Sequence, residues 1–190
     1  EDQKNKKTIS LYVKDKNYSK ISEITMQAIS NIENYKNALE YIIAEGFQIC
    51  RLGDKFSQNF VFNHENYKDL TKSKKYNLKV QYSNYNNSEF FFGSNTPGIG
   101  IANFFDKKRV ITNVPAEYSS NTSSLSKKNF SIFKKVFSIK KKRILSLEEI
   151  LNDNNLFIDE ISLLYTSNDY ILIENSPEEI LDVCEEFINY

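Results

Sequence analysis

Glycines are concentrated in one short segment of this chain. Of its five glycines, Gly93, Gly98 and Gly100 fall within eight residues at the end of the apolar run FFF. Glycine lets backbone N–H groups approach a ligand, and a helix beginning after Gly98 would aim its unpaired amides at an anion such as a diphosphate. Further donors come from Ser94, Asn95 and Thr96. A tight βα turn with a helix N-cap and no ligand explains the same residues. The segment is neither G-x-G-x-x-G nor a Walker loop, so it does not predict a dinucleotide or ATP site.

A second candidate segment is Arg51-Leu52-Gly53-Asp54, which follows the apolar run FQIC. A guanidinium such as that of Arg51 can pair with two phosphate oxygens in a fork, and Asp54 can accept from a ribose hydroxyl. The alternative is a surface turn in which Asp54 hydrogen-bonds its own backbone. If both segments follow parallel strands, they emerge at the same sheet edge and form one cleft.

Alternating apolar patterns supply the elements that must position these residues. Helical spacing and caps predict helices over Ile32–Ala44, over Asn77–Asn87, after Gly98, after Ser146 and after Ser176. Short β-rich runs predict strands at Thr8–Val13, Phe47–Leu52, Phe90–Phe92, Arg109–Thr112 and Tyr170–Ile173. Because strand, helix and strand in succession close into right-handed parallel units, the sequence predicts one α/β domain of the Rossmann-like kind, with a mainly parallel sheet and helices on both faces.

Composition narrows the function classes. Basic and acidic residues number 25 each, so no global field favours nucleic acid or an anionic membrane, and any anion site must be local. No apolar run approaches the length of a membrane helix, and a cytoplasmic location is expected. Cys50 and Cys184 lie in apolar stretches, where free thiols are expected. The Ser- and Asn-rich stretch from Ala116 to Asn129 is predicted to be a surface loop of the kind that serves as a lid.

Three segments together resemble a family of bacterial surface-polysaccharide glycosyltransferases with a GT-B-like C-terminal half. They are GFQICRLGD, FFFGSNTPG leading to ITNVP, and LSLEEIL with the closing ENSPEEI, and their order and spacing agree from about Thr8 onward. Where the family commonly has a histidine and an arginine at the end of the first strand, this chain has Tyr12 and Lys14. That departure leaves a non-catalytic binding or scaffolding module as an alternative.

The resemblance implies transfer of a sugar from a nucleotide-sugar bound in this half, with a polysaccharide or lipid-linked acceptor held by an N-terminal half not included here. No metal or cofactor is implied. Carried across by position, the donor-binding candidates are Arg51, Gly53, Asp54, the loop Gly93–Gly98 and Asn113. Ser176 and Glu178 match the closing motif, which helix capping also explains.

Overall fold

A computed structural model describes residues 6–17, 29–115, 129–152 and 169–190. Its main sheet has six strands, all parallel, in the order β3-β2-β1-β4-β5-β6. The strands are β1 (Thr8–Tyr12), β2 (Gln48–Arg51), β3 (Tyr67–Asp69), β4 (Phe90–Ser94), β5 (Lys108–Val114) and β6 (Asn129–Phe133). This is the strand order of the Rossmann fold, so the predicted fold class is confirmed.

Helices pack on both faces of this sheet, as the alternation of side chains along its strands requires. Phe90 and Phe92 of β4 face one core cluster, and Phe91 faces the other. The first cluster is covered by a 3₁₀ turn (Ile32–Tyr35) with helix α1 (Lys36–Ala44), and by the C-terminal helix α5 (Pro177–Asn189). The second is covered by α2 (Leu78–Asn87) and α3 (Gly98–Phe104).

Side-chain caps fix where these helices begin. The Asn31 side chain accepts from the Glu33 amide, and Asn77 accepts from the Val80 amide at the start of α2. Ser176 and Glu179 form a reciprocal capping box, with Pro177 at the first position of α5. Such caps satisfy amides that have no partner inside the helix, which confirms the predicted helix starts.

One predicted strand was assigned to the wrong sheet. Tyr170–Ile173 (β9) pairs antiparallel with β7 (Lys135–Ser138), and β7 also pairs with β8 (Arg143–Ile144) in a separate three-stranded sheet. Ile171 and Ile173 are exposed, so this strand is amphipathic rather than buried on both faces. The short helix α4 (Leu147–Asn152) has the predicted capping box between Ser146 and Glu149.

Two strands of the main sheet, β3 and β6, were not predicted. β3 has only three residues, and its middle residue is exposed, so no run of apolar residues marks it. The lid predicted from Ala116 to Asn129 lies outside the described residues, apart from Asn129, which begins β6.

Candidate functional site

The strand order sets a switch point between β1 and β4. From β1 the chain moves through β2 to β3 on one side, then crosses over through α2 to β4 on the other side. The connections that leave β1 and β4 therefore run in opposite directions, and in open α/β sheets such a reversal marks a crevice at the carboxyl ends of the two strands. Ligands of open α/β sheets bind in such a crevice.

Buried polar side chains mark this carboxyl edge. Each of the six parallel strands has at least one such residue within three residues of its carboxyl end, although burial of a polar group is costly unless it is paired. These buried residues are Lys14, Asp15, Arg51, Thr71, Ser94, Thr96, Thr112, Asn113 and Lys134. The edge is thus a continuous polar layer beneath the loops where a ligand would sit.

Tyr12, the last residue of β1, joins the two predicted loops. A Cβ placed on Gly53 would lie 3.4 Å from Tyr12 Cε2, and one placed on Gly98 would lie 2.9 Å from Tyr12 Cδ1. Both glycines therefore approach the same tyrosine ring, which a larger residue at position 98 would displace. The prediction that the two loops meet at one edge of the sheet is confirmed.

The glycine loop is held closely against β1. Gly93 pairs in register with Tyr12, and any side chain at position 93 would collide with the Tyr12 carbonyl oxygen. The Ser94 hydroxyl accepts from the Lys14 amide at 2.9 Å. Gly93 and Ser94 thus join the carboxyl ends of β1 and β4, which form the floor of the crevice.

The first amides of α3 are not arranged as predicted. The Gly98 amide donates to Thr96 Oγ1 at 3.2 Å, the Ile99 amide to the Thr96 carbonyl at 3.1 Å and the Gly100 amide to the Pro97 carbonyl at 3.1 Å. These donors are therefore satisfied within the turn that Pro97 begins. The expectation of unpaired helix amides aimed at an anion is wrong for this geometry.

Arg51 is fully buried, and its terminal nitrogens already bind protein acceptors. Nη1 donates to Asp69 at 2.9 Å, while Nη2 donates to the Gln58 carbonyl at 2.8 Å and lies 3.3 Å from Asp15 Oδ2. The guanidinium thereby ties together the segments that follow β1, β2 and β3. The fork expected to hold phosphate is occupied by two carboxylates, so the geometry assigns Arg51 a positioning role.

Gly53 and Asp54 of the same segment lie in a hydrogen-bonded turn. Asp54 Oδ1 accepts from the Phe56 amide at 2.8 Å. This is the turn, with the Asp54 side chain bonded to the nearby backbone, that the sequence offered as the alternative to a ribose contact. The Gly53 carbonyl accepts from Tyr76 and Gln81, and its amide donates to the Tyr76 hydroxyl. Burial raises the pKa of Tyr76 to about 12, so this hydroxyl stays protonated at neutral pH. A ribose contact for Asp54 stays a prediction.

Asn113 lies at the end of β5 in the left-handed region, with φ 54°. It is fully buried and exchanges two hydrogen bonds with Asn175: the Asn113 amide donates to Asn175 Oδ1, and the Asn175 amide donates to Asn113 Oδ1 at 2.7 Å. Its Nδ2 lies 3.3 Å from the Tyr35 hydroxyl. These bonds join β5 to the segment before α5, and a donor contact for Asn113 stays untested.

Two buried polar side chains near the crevice, Lys14 and Tyr85, were not among the predicted site residues. Lys14 is 94% buried (6% exposed) just beyond β1, and burial lowers the pKa of its ammonium. Tyr85 of α2 is fully buried next to Gly98, and its hydroxyl has no hydrogen-bond partner among the described residues. The position of Lys14 directly after a predicted strand was the signal available for that residue. For Tyr85 the signal was helical spacing, which places it on one face of the predicted helix with Leu78 and Tyr82.

The described residues contain no group of three or more His, Cys, Asp or Glu side chains that could hold a metal ion. In the same part of the chain, no helix has the length and apolar character needed to cross a membrane. Comparison of the chain with protein-family models, curated proteins and solved structures finds no match of any of the three kinds. The functional argument therefore depends on the geometry of the site and on the sequence motifs described above.

Proposed function

We propose that this chain is the donor-binding domain of a glycosyltransferase that transfers a sugar from a nucleotide-sugar in the synthesis of a bacterial surface polysaccharide. The observation that carries the proposal is the crevice between β1 and β4, where a glycine loop and a buried polar layer meet at the switch point of a Rossmann-like sheet. The sequence resemblance is the reason for proposing sugar transfer. The fold is the reason for proposing that the donor binds at the switch point between β1 and β4.

In this proposal Lys14 supplies the cation that faces the diphosphate. Its side chain is buried, and desolvation lowers the pKa of its ammonium, so a nearby anionic group would stabilise the charged form. Donor affinity should therefore be present while Lys14 is protonated and should fall as the pH rises through its pKa, which lies below 10.5. Arg51 acts indirectly, because it holds the Asp15 and Gln58 loops in place.

Catalysis would come from stabilising the charge that develops on the leaving diphosphate, which a pre-positioned cation in a water-poor crevice does effectively. No step of this scheme requires a metal ion. The acceptor groups would come from a second half of the enzyme.

Isothermal titration calorimetry with nucleoside diphosphates and their sugars tests the proposal. Charged hydrogen bonds contribute about 1.5–3 kcal/mol, so Lys14→Ala should weaken binding of the best nucleotide about 10- to 150-fold. Lys108→Ala is the matched control, because Lys108 is exposed at the amino end of β5. Equal affinities for wild type and Lys14→Ala would remove Lys14 from the donor site.

One observation favours the non-catalytic alternative. The Arg51 fork and the first amides of α3, which a phosphate-binding site would use, are occupied by the protein's own groups. If no nucleotide binds wild-type protein at millimolar concentration, a Rossmann-like scaffolding module becomes the better description of the chain.

A further inference from the structure

The two faces of the main sheet carry opposite charge, although the whole chain is neutral. Between Leu70 and Ser88, a stretch that includes α2, there are four lysines and no acidic residue, and the segment Asp106-Lys107-Lys108 that follows α3 adds a net charge of +1. On the opposite face, α5 carries five acidic residues and no basic residue. The basic charge is therefore concentrated on the α2–α3 face.

The same face exposes an apolar stripe. From α2 it presents Leu78, 65% exposed, and Tyr82, 44% exposed; from α3 it presents Phe104, 81% exposed. Tyr82 and Phe104 line a groove together with Pro97, Gly100, Ile101 and Phe105. Positions 97, 100, 101 and 104 follow helical spacing, so the stripe runs along one side of α3.

We propose that the α2–α3 face, defined by these apolar residues and the lysines around them, binds peripherally to an anionic lipid bilayer. Aromatic and aliphatic side chains within a basic surround are typical of surfaces that lie in the headgroup region, where the apolar groups enter the acyl boundary and the lysines meet lipid phosphates. The acidic α5 face points away from the bilayer in this orientation, so the charge asymmetry orients the protein as well as attracting it.

Charge complementarity selects a bilayer over a second copy of this chain. Two copies that met through this face would bring their lysines together, whereas an anionic surface neutralises them. The exposed aliphatic side chain of Leu78 favours lipid over nucleic acid, because bases stack on aromatic rings and not on aliphatic groups. This inference does not depend on the proposed sugar transfer. Since Pro97 belongs to both the groove and the glycine loop, binding would hold the crevice near the membrane.

The absence of tryptophan from the chain makes a direct test simple. Phe104→Trp introduces a single fluorophore on the face, and Val61→Trp introduces one at an exposed apolar position in the loop between β2 and β3. Phosphatidylcholine vesicles containing phosphatidylglycerol should shift the emission of Trp at 104 to the blue and leave that of Trp at 61 unchanged. Pure phosphatidylcholine vesicles should shift neither.

Co-sedimentation with the same vesicles tests how much the lysines contribute to membrane binding. Each lysine near an anionic surface contributes about five-fold to partitioning, so Lys75→Glu with Lys79→Glu should weaken binding at least about 25-fold. Lys36→Glu with Lys140→Glu makes the same charge change away from this face and should reduce binding far less. Added salt should release the wild-type protein.

Three results would overturn the proposal: unchanged Trp emission at position 104 with anionic vesicles, equal loss of binding in the two charge-reversal pairs, or a dimer in solution that Phe104→Ser dissociates. Nucleotide titrations of the same proteins are independent of these results, so failure of membrane binding and failure of the donor site are distinguishable.

Discussion

Replacing Arg51 by methionine is the sharpest structural perturbation of the crevice. Methionine keeps an unbranched side chain but leaves the buried Asp15 carboxylate without its cation and the Gln58 carbonyl without its charged donor. Removing one partner of a buried ion pair costs about 3–5 kcal/mol. Because small domains are stable by about 5–15 kcal/mol, Arg51→Met should lose a large part of the free energy of unfolding.

Urea denaturation measures this loss of unfolding free energy. Urea is uncharged and leaves ion pairs unscreened, whereas guanidinium chloride is a salt and would screen them. Arg51→Met combined with Asp15→Asn should recover about 1–3 kcal/mol relative to the sum of the single changes, since the carboxylate no longer needs the guanidinium. Arg143→Met makes the same substitution at an exposed ion pair and should change stability little. A loss below about 1 kcal/mol for Arg51→Met, with no coupling to Asp15, would refute the buried network.

Two further predictions concern the core. Burial raises the pKa of Tyr35 to about 12, so the contribution of Tyr35 to stability should be unchanged below about pH 10 and fall above it. In urea melts, wild type should lose about 1.4 kcal/mol more than Tyr35→Phe between pH 9 and pH 11. Equal losses of unfolding free energy in the two proteins would contradict this. Gly93→Ala should destabilise by about 1–3 kcal/mol because its Cβ meets the Tyr12 carbonyl, whereas Gly100→Ala, with open space around it, should stabilise by up to about 1 kcal/mol. Equal changes in melting temperature for Gly93→Ala and Gly100→Ala would refute the close approach of β1 and β4.

Local patterns predicted most of the fold. Apolar runs such as Phe90–Phe92 predicted central strands, and the Asn31, Asn77 and Ser176 caps are short-range signals that the structure retains. Tyr170–Ile173 was placed in the wrong sheet, because a four-residue apolar run does not encode its partner strand.

The candidate site was harder to predict, since its pairings are long-range. The segments around Gly53 and Gly98 were expected to meet because parallel strands share an edge, and Tyr12 shows that they do. That Arg51 would be satisfied by Asp15, 36 residues away, follows only from the fold. A net charge of zero also concealed the separation of charge between α2 and α5, which appears only once the helices are assigned to faces.

Glycine amides offer a direct test of the donor crevice, because the chain has only five glycines. Two-dimensional NMR of ¹⁵N-glycine-labelled protein, titrated with nucleoside diphosphates and nucleotide-sugars, reports on Gly53, Gly93 and Gly98 at the crevice and on Gly46 at the opposite edge, between α1 and β2. Binding at the switch point predicts saturable shifts of the three crevice amides while Gly46 stays fixed. Shifts at Gly46 alone, or no shift of any crevice glycine with any nucleotide at millimolar concentration, would contradict the proposed donor site.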